Sequence, residues 1–134
     1  MPPRFAVHRL DEIPTVPDAD VDWHPLQHYF GLNTFGANLF IARNAGDQLI
    51  AEHDESESAQ QELYLVLRGA VRFTFDGETR DAPAISVAAV PEASVRRAAV
   101  ALEPGATMLA LGSPPGEYAS TWRPSWFEAV PKLH

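Results

Sequence analysis

The chain has 134 residues and a mass of 14.7 kDa, the size of one domain built around one hydrophobic core. Apolar residues make up 46% and charged residues 21%, which excludes a disordered chain, a collagen-like repeat and a coiled coil. Eighteen acids against ten bases give a net charge of -8, an argument against a nucleic-acid partner, and the absence of cysteine removes disulfides, thiol nucleophiles and thiolate metal sites. Any metal must therefore sit on histidine and carboxylate.

No run approaches the about 18 apolar residues of a membrane span, and Met1-Pro2-Pro3-Arg4-Phe5 is unlike a signal peptide. A soluble cytoplasmic protein is expected. Pro14 and Pro17 punctuate an N-terminal arm, and Trp23 to Phe30 could form one or two helical turns with Pro25 in the first. Strand-type runs follow at Phe35 to Ala42, Gln48 to Glu52, Glu62 to Arg68 and Val71 to Phe75. In the last of these Val71, Phe73 and Phe75 alternate with Arg72 and Thr74, the pattern of a half-buried strand. Asp76-Gly77 supplies a tight hairpin turn, and Glu78 to Asp81 the return strand. Further strands are expected at Ile85 to Val90, Val95 to Val100 and Thr107 to Leu111, with a capped turn from Ser125. Some eight short strands at this spacing indicate an all-β antiparallel sandwich or barrel, with helical turns only near the termini. The expected organisation is one domain over 1–134, with an arm at 1–34, a barrel core at 35–112 and a packing segment at 113–134.

The segment Gly46 to Gly69 with the strand after it resembles the first motif of the cupin superfamily, which runs glycine, five residues, His-x-His, three or four residues, Glu, six residues, glycine. Glu62 and Gly69 keep the Glu-x6-Gly spacing, and His53 follows Gly46 at close to the family distance. The second motif histidine is missing, and Glu55 stands at its place. In the second motif, glycine, five residues, Pro-x-Gly, two residues, His, Pro91 is kept, whereas Ile85 and Ala93 replace the glycines and Arg96 the histidine. The resemblance implies a small jelly-roll barrel with degenerate metal-binding positions.

A catalytic metal needs about three protein ligands and an open position. His53, Glu55 and Glu62 are the candidate set for Zn, Fe, Mn or Ni, and a cationic Arg96 beside them would oppose it. An inward Arg96 could instead offer its planar fork to a ligand's carboxylate, or form a structural ion pair with Glu62 in the vacated metal position. Tyr64 shares the face of Glu62 and lines the same interior. His53 and Tyr64 would be the base and acid if the chain resembles the metal-free sugar epimerases of the superfamily. His24 and His28 have the spacing of a zinc-binding helix, but packing over a barrel end explains them better, and the acidic run Glu52 to Glu57 reads as a solvated loop.

The expected function is thus a metal-free barrel that binds a small anionic or mixed-polarity metabolite through Arg96, Glu62 and Tyr64, with no membrane partner. The alternative is an enzyme, either metal-dependent or a metal-free isomerase. Trp122, Trp126 and Phe127 are too apolar for a free tail, so they should pack on the barrel or across a dimer, and the resemblance makes a homodimer the expectation.

Overall fold

Alternation in the sequence becomes two facing sheets in the computed structural model, which describes residues 3–133. The strands are β1 (Asp22–His24), β2 (Gly36–Ile41), β3 (Gln48–His53), β4 (Gln61–Arg68), β5 (Ala70–Phe75), β6 (Glu78–Pro83), β7 (Ser86–Val90), β8 (Arg97–Ala101) and β9 (Thr107–Ser113). A five-stranded sheet has the order β1-β2-β9-β4-β7 and a four-stranded sheet the order β3-β8-β5-β6. Every pairing is antiparallel, and the sheets pack face to face as a jelly roll without closing into one continuous barrel.

The β5–β6 hairpin shows how directly local chemistry sets this architecture. Asp76 and Gly77 both adopt positive φ, 49° and 82°, so the turn twists with its strands and holds Phe75 opposite Glu78. Val71 and Phe73 then point inward, and Arg72 pairs outside with Asp81 at 2.7 Å. Across the core, Tyr64, Val66 and Met108 face Phe73, Ala99 and Ala101, the two alanines leaving room for the rings of Tyr64 and Phe73, whose centroids are 5.7 Å apart.

Two features depart from the sequence reading. Trp23 and His24 belong to β1, and only Leu26–Phe30 after Pro25 is helical (α1), so His24 and His28 share no helix face. His24 is buried with Nδ1 2.9 Å from the Ile13 carbonyl, and His28 is exposed. The second is the C-terminal segment, which contains a short 3-10 turn at Pro124–Phe127 and in which every described residue from 114 onward is exposed, Trp122 touching Tyr118 and Phe127. No helix among the described residues is long and apolar enough to cross a membrane.

Candidate functional site

Register gathers the chemistry-bearing residues at one end of the jelly roll. Glu62 at the start of β4 lies between Val90 of β7 and Gly112 of β9. In the other sheet Arg97 at the start of β8 lies between His53 of β3 and Phe75 of β5. Glu62 and Arg97 therefore face each other from opposite sheets.

They meet. Arg97 Nη1 donates to Glu62 Oε1 at 2.6 Å, with only 1% of the arginine side chain and 13% of the glutamate exposed. The same oxygen accepts the Tyr64 hydroxyl at 2.6 Å. The rest of the guanidinium is held by main-chain carbonyls: Nε donates to Val95, and Nη2 to Val95, Ala93 and Glu92, at 2.9 to 3.3 Å. One buried cation thus ties the β7–β8 loop to both sheets, and no buried side-chain polar atom among the described residues lacks a partner. Burial opposes the charge on Arg97, but the hydrogen bond it donates to Glu62 and the neighbouring Tyr64 and Glu62 groups outweigh it, raising its pKa further. Burial, then the Glu62 carboxylate, push the Tyr64 phenol well above its ordinary value, so it remains a protonated donor.

This arginine is the neighbour of the one that motif spacing selects. Arg96 points outward, half exposed, 3.6 Å from Glu52. Its backbone N–H donates to Asp76 Oδ1 at 2.8 Å, which fixes the chain so that Arg97, Ala99 and Ala101 take the inward positions. Spacing counted through substituted glycines misses by one residue here, because the loop turns at Glu92 to Val95, where Val95 N–H donates to the Glu92 carbonyl. The usable signal was the pair of alanines opposite large aromatics, which marks the odd-numbered residues of β8 as interior.

Of the remaining expected residues, His53 and Glu55 lie at this same end. His53 Nε2 is 2.9 Å from Glu55 Oε1, and its Nδ1 is 2.7 Å from the Ala51 carbonyl, so both ring nitrogens face oxygen acceptors. Glu55 also accepts from Ser58 Oγ at 2.7 Å, and its backbone N–H donates to Ala93, which folds part of the acidic run inward rather than leaving it fully solvated. Donor atoms of His53, Glu55 and Glu62 come within 4.8 Å of one another, a group that could hold a metal ion. Beside them an open depression of about 480 Å³ is lined by Phe75, Val90, Pro91, Glu92 and Val95.

No family model and no curated protein matches the chain. Solved structures do. The chain is similar to a cupin protein from Bacteroides fragilis, with a TM-score of 0.64 and 18% identity over 89% of this chain and 94% of that one. It is similar to a sugar phosphate isomerase of the cupin superfamily from Silicibacter pomeroyi, with a TM-score of 0.60 and 22% identity over 72% of this chain and 60% of that one. It is also similar to KdgF from Halomonas sp., with a TM-score of 0.53 and 23% identity over 63% of this chain and 72% of that one. At such identities the likeness is one of fold.

Proposed function

We propose that this chain, which has the cupin fold, is a metal-free binding protein for a small, neutral, polyhydroxylated metabolite. The observation that carries the reading is Arg97: its guanidinium stands beside the carboxylate that would otherwise ligate a metal. A divalent ion on the free oxygen of Glu62 would lie roughly 5 Å from that fixed cation, a repulsion of several kcal/mol at an effective dielectric near about 20. Metal at His53 Nε2 would also have to displace Glu55 from its 2.9 Å contact. The donor set is close enough for an ion, but the charge around it does not fit one.

Ligand chemistry follows from what is left to bind with. The Arg97 fork is taken up by the protein's own oxygens, so it does not offer the bidentate grip an anion would use. The acceptors at this end are the carboxylates of Glu55 and of Glu62, through its second oxygen, grouped with His53, and the neighbouring depression, whose Val90 pairs with Glu62 in register, adds an apolar wall of Phe75, Val90 and Val95. Carboxylates accept hydrogen bonds from hydroxyls and repel anions, and an apolar wall suits the C–H face of a sugar ring. This replaces an anionic ligand held by Arg96 with a neutral one held by acceptors.

A panel of neutral sugars and polyols, sugar phosphates and small carboxylic acids, followed by ligand-observed NMR, tests the reading. Neutral polyols should bind, with at least tenfold loss in Glu55→Ala and no change in Arg96→Ala. Binding confined to anions, or lost in Arg96→Ala, would contradict it.

A second reading is favoured by one observation, the closeness of His53 to the Glu62–Tyr64 pair. A base and a proton donor in one cluster could move a proton on a bound sugar, in keeping with the isomerase named among the similar structures. Solvent deuterium incorporated at a carbon of a panel sugar, surviving chelator and lost in His53→Ala, would establish it.

A further inference from the structure

The N-terminal arm creates a second place where a buried polar group meets an opening. Phe40 packs against the core between the sheets, so Ala37, Leu39 and Ile41, which alternate with it along β2, face outward, and register puts His24 and Asp22 of β1 beside Leu39 and Ile41 on that same outer face. The arm crosses this edge of the sheet. Its 3-10 turn at Leu10–Glu12 leads into the buried Ile13, and Val16 N–H donates to the Trp23 carbonyl at 2.9 Å. Between arm and sheet lies an open depression of about 690 Å³, whose lining includes Leu10, Asp11, Asp22, His24 and Ile41.

His24 sets this depression apart. Only 7% of the residue is exposed, and its Nδ1 lies 2.9 Å from the Ile13 carbonyl, an oxygen that can only accept, so in the neutral ring the proton sits on Nδ1 and Nε2 keeps its lone pair. Nε2 has no hydrogen-bond partner among the described residues. Since no fully buried side-chain nitrogen or oxygen among those residues lacks a partner, Nε2 is reached by solvent, and the depression is the opening that His24 lines. Two carboxylates line it with His24. Asp22 Oδ1 accepts from Arg43 and Asp11 Oδ1 from Arg9, each at 3.1 Å, while neither Oδ2 makes a hydrogen bond among the described residues.

We infer that this depression binds a small organic ammonium, the protonated head of a primary amine on a short apolar stem. A lone-pair nitrogen and two unengaged carboxylate oxygens all accept N–H donors, and a primary ammonium carries three. Leu10 and Ile41 supply apolar surface for the stem. A small anion is disfavoured, because the cation that lines the depression, Arg9, is already met by Asp11 at 3.1 Å and Glu12 at 3.5 Å. A bare metal ion is disfavoured as well. Donor atoms of three ligating residues gather within 4.8 Å, among the described residues, only at His53, Glu55 and Glu62. The net charge of -8 draws cations toward the surface as a whole. This site is separate from the Glu62 end and does not depend on what binds there.

The probe is n-butylammonium chloride, titrated into the full-length protein labelled with nitrogen-15 and read at the histidine ring nitrogens by NMR. Butylammonium should move the His24 Nε2 resonance saturably. Tetramethylammonium, which has the charge without an N–H, and butyrate, which has the stem with the opposite charge, should leave it in place. Asp22→Asn, at a partly exposed position, should weaken butylammonium at least tenfold, and Glu128→Gln, which removes the same charge from the C-terminal segment, should not change it. Ile41→Trp, which fills the depression from β2, is the second variant and should abolish the shift in a protein with an unchanged far-ultraviolet spectrum. A resonance that butylammonium does not move saturably, an equal shift with tetramethylammonium or butyrate, or affinity unchanged in both folded variants would overturn the proposal.

Discussion

Arg97 of β8 and Glu62 of β4 come from different sheets and meet in a 2.6 Å ion pair at the end of the jelly roll where His53 and Glu55 also lie. The pair is a clamp between the sheets as much as an electrostatic device. It also accounts for Tyr64, whose hydroxyl completes the Glu62 oxygen that Arg97 leaves half coordinated.

Truncating one member of such a pair strands the other. Arg97→Ala is expected to cost about 3–5 kcal/mol of stability in urea unfolding, because Glu62 loses its cationic partner in a nearly buried position. Arg96→Ala, at the half-exposed neighbour, is expected to stay within about 0.5 kcal/mol. Equal losses in the two variants would mean that the inward arginine has been misassigned.

Tyr64 should make the protein alkali-sensitive. Its folded pKa is raised, above all by burial and then by Glu62, over an unfolded value of 10.0. Above that value the unfolded chain gives up the phenolic proton and the folded chain keeps it, so the native state binds more protons and stability falls as pH rises. At neutral pH the group is protonated in both states and contributes no pH dependence. Tyr64→Phe should flatten the alkaline decline in a series of unfolding curves, and an unchanged decline would assign it to another group.

Ile85 stands where the motif that this chain resembles has a glycine, and its φ of 57° is the conformation a glycine would hold there. Ile85→Gly should therefore stabilise the fold by about 1 kcal/mol, since strain is relieved and little packing is lost. Measured by urea denaturation, a destabilised variant would show that the side chain makes packing contacts that outweigh the strain.

Gly69 is the opposite case. It has a φ of 71°, and a methyl group there would come within 3.1 Å of the Ala106 backbone, so Gly69→Ala combines a backbone conformation that penalises alanine with a contact that cannot yield cheaply. A loss of about 2 kcal/mol or more in thermal or urea unfolding is expected. A neutral substitution would show that the β4–β5 connection relaxes freely.

What could be read from the sequence were the features set by local chemistry. Alternation located β5, Asp76-Gly77 fixed the hairpin, and the Glu62 to Gly69 spacing identified both the strand and the turn that ends it. β1 was hidden because three residues before Pro25 are too few to show a period of two. The inward arginine was hidden because its assignment depended on counting through Ile85 and Ala93, which no longer anchor the loop as glycines would. Trp122 and Trp126 were legible as large apolar residues near the C-terminus, but composition could not say that both stay more than half exposed.

The central claim is that a guanidinium stands where a metal would, and metal content tests it most directly. Protein made without an affinity tag and offered zinc, iron, manganese and nickel in turn should hold far less than one ion per chain by plasma mass spectrometry. About one ion per chain, lost in Glu62→Ala, would contradict it and place His53, Glu55 and Glu62 around a metal despite Arg97.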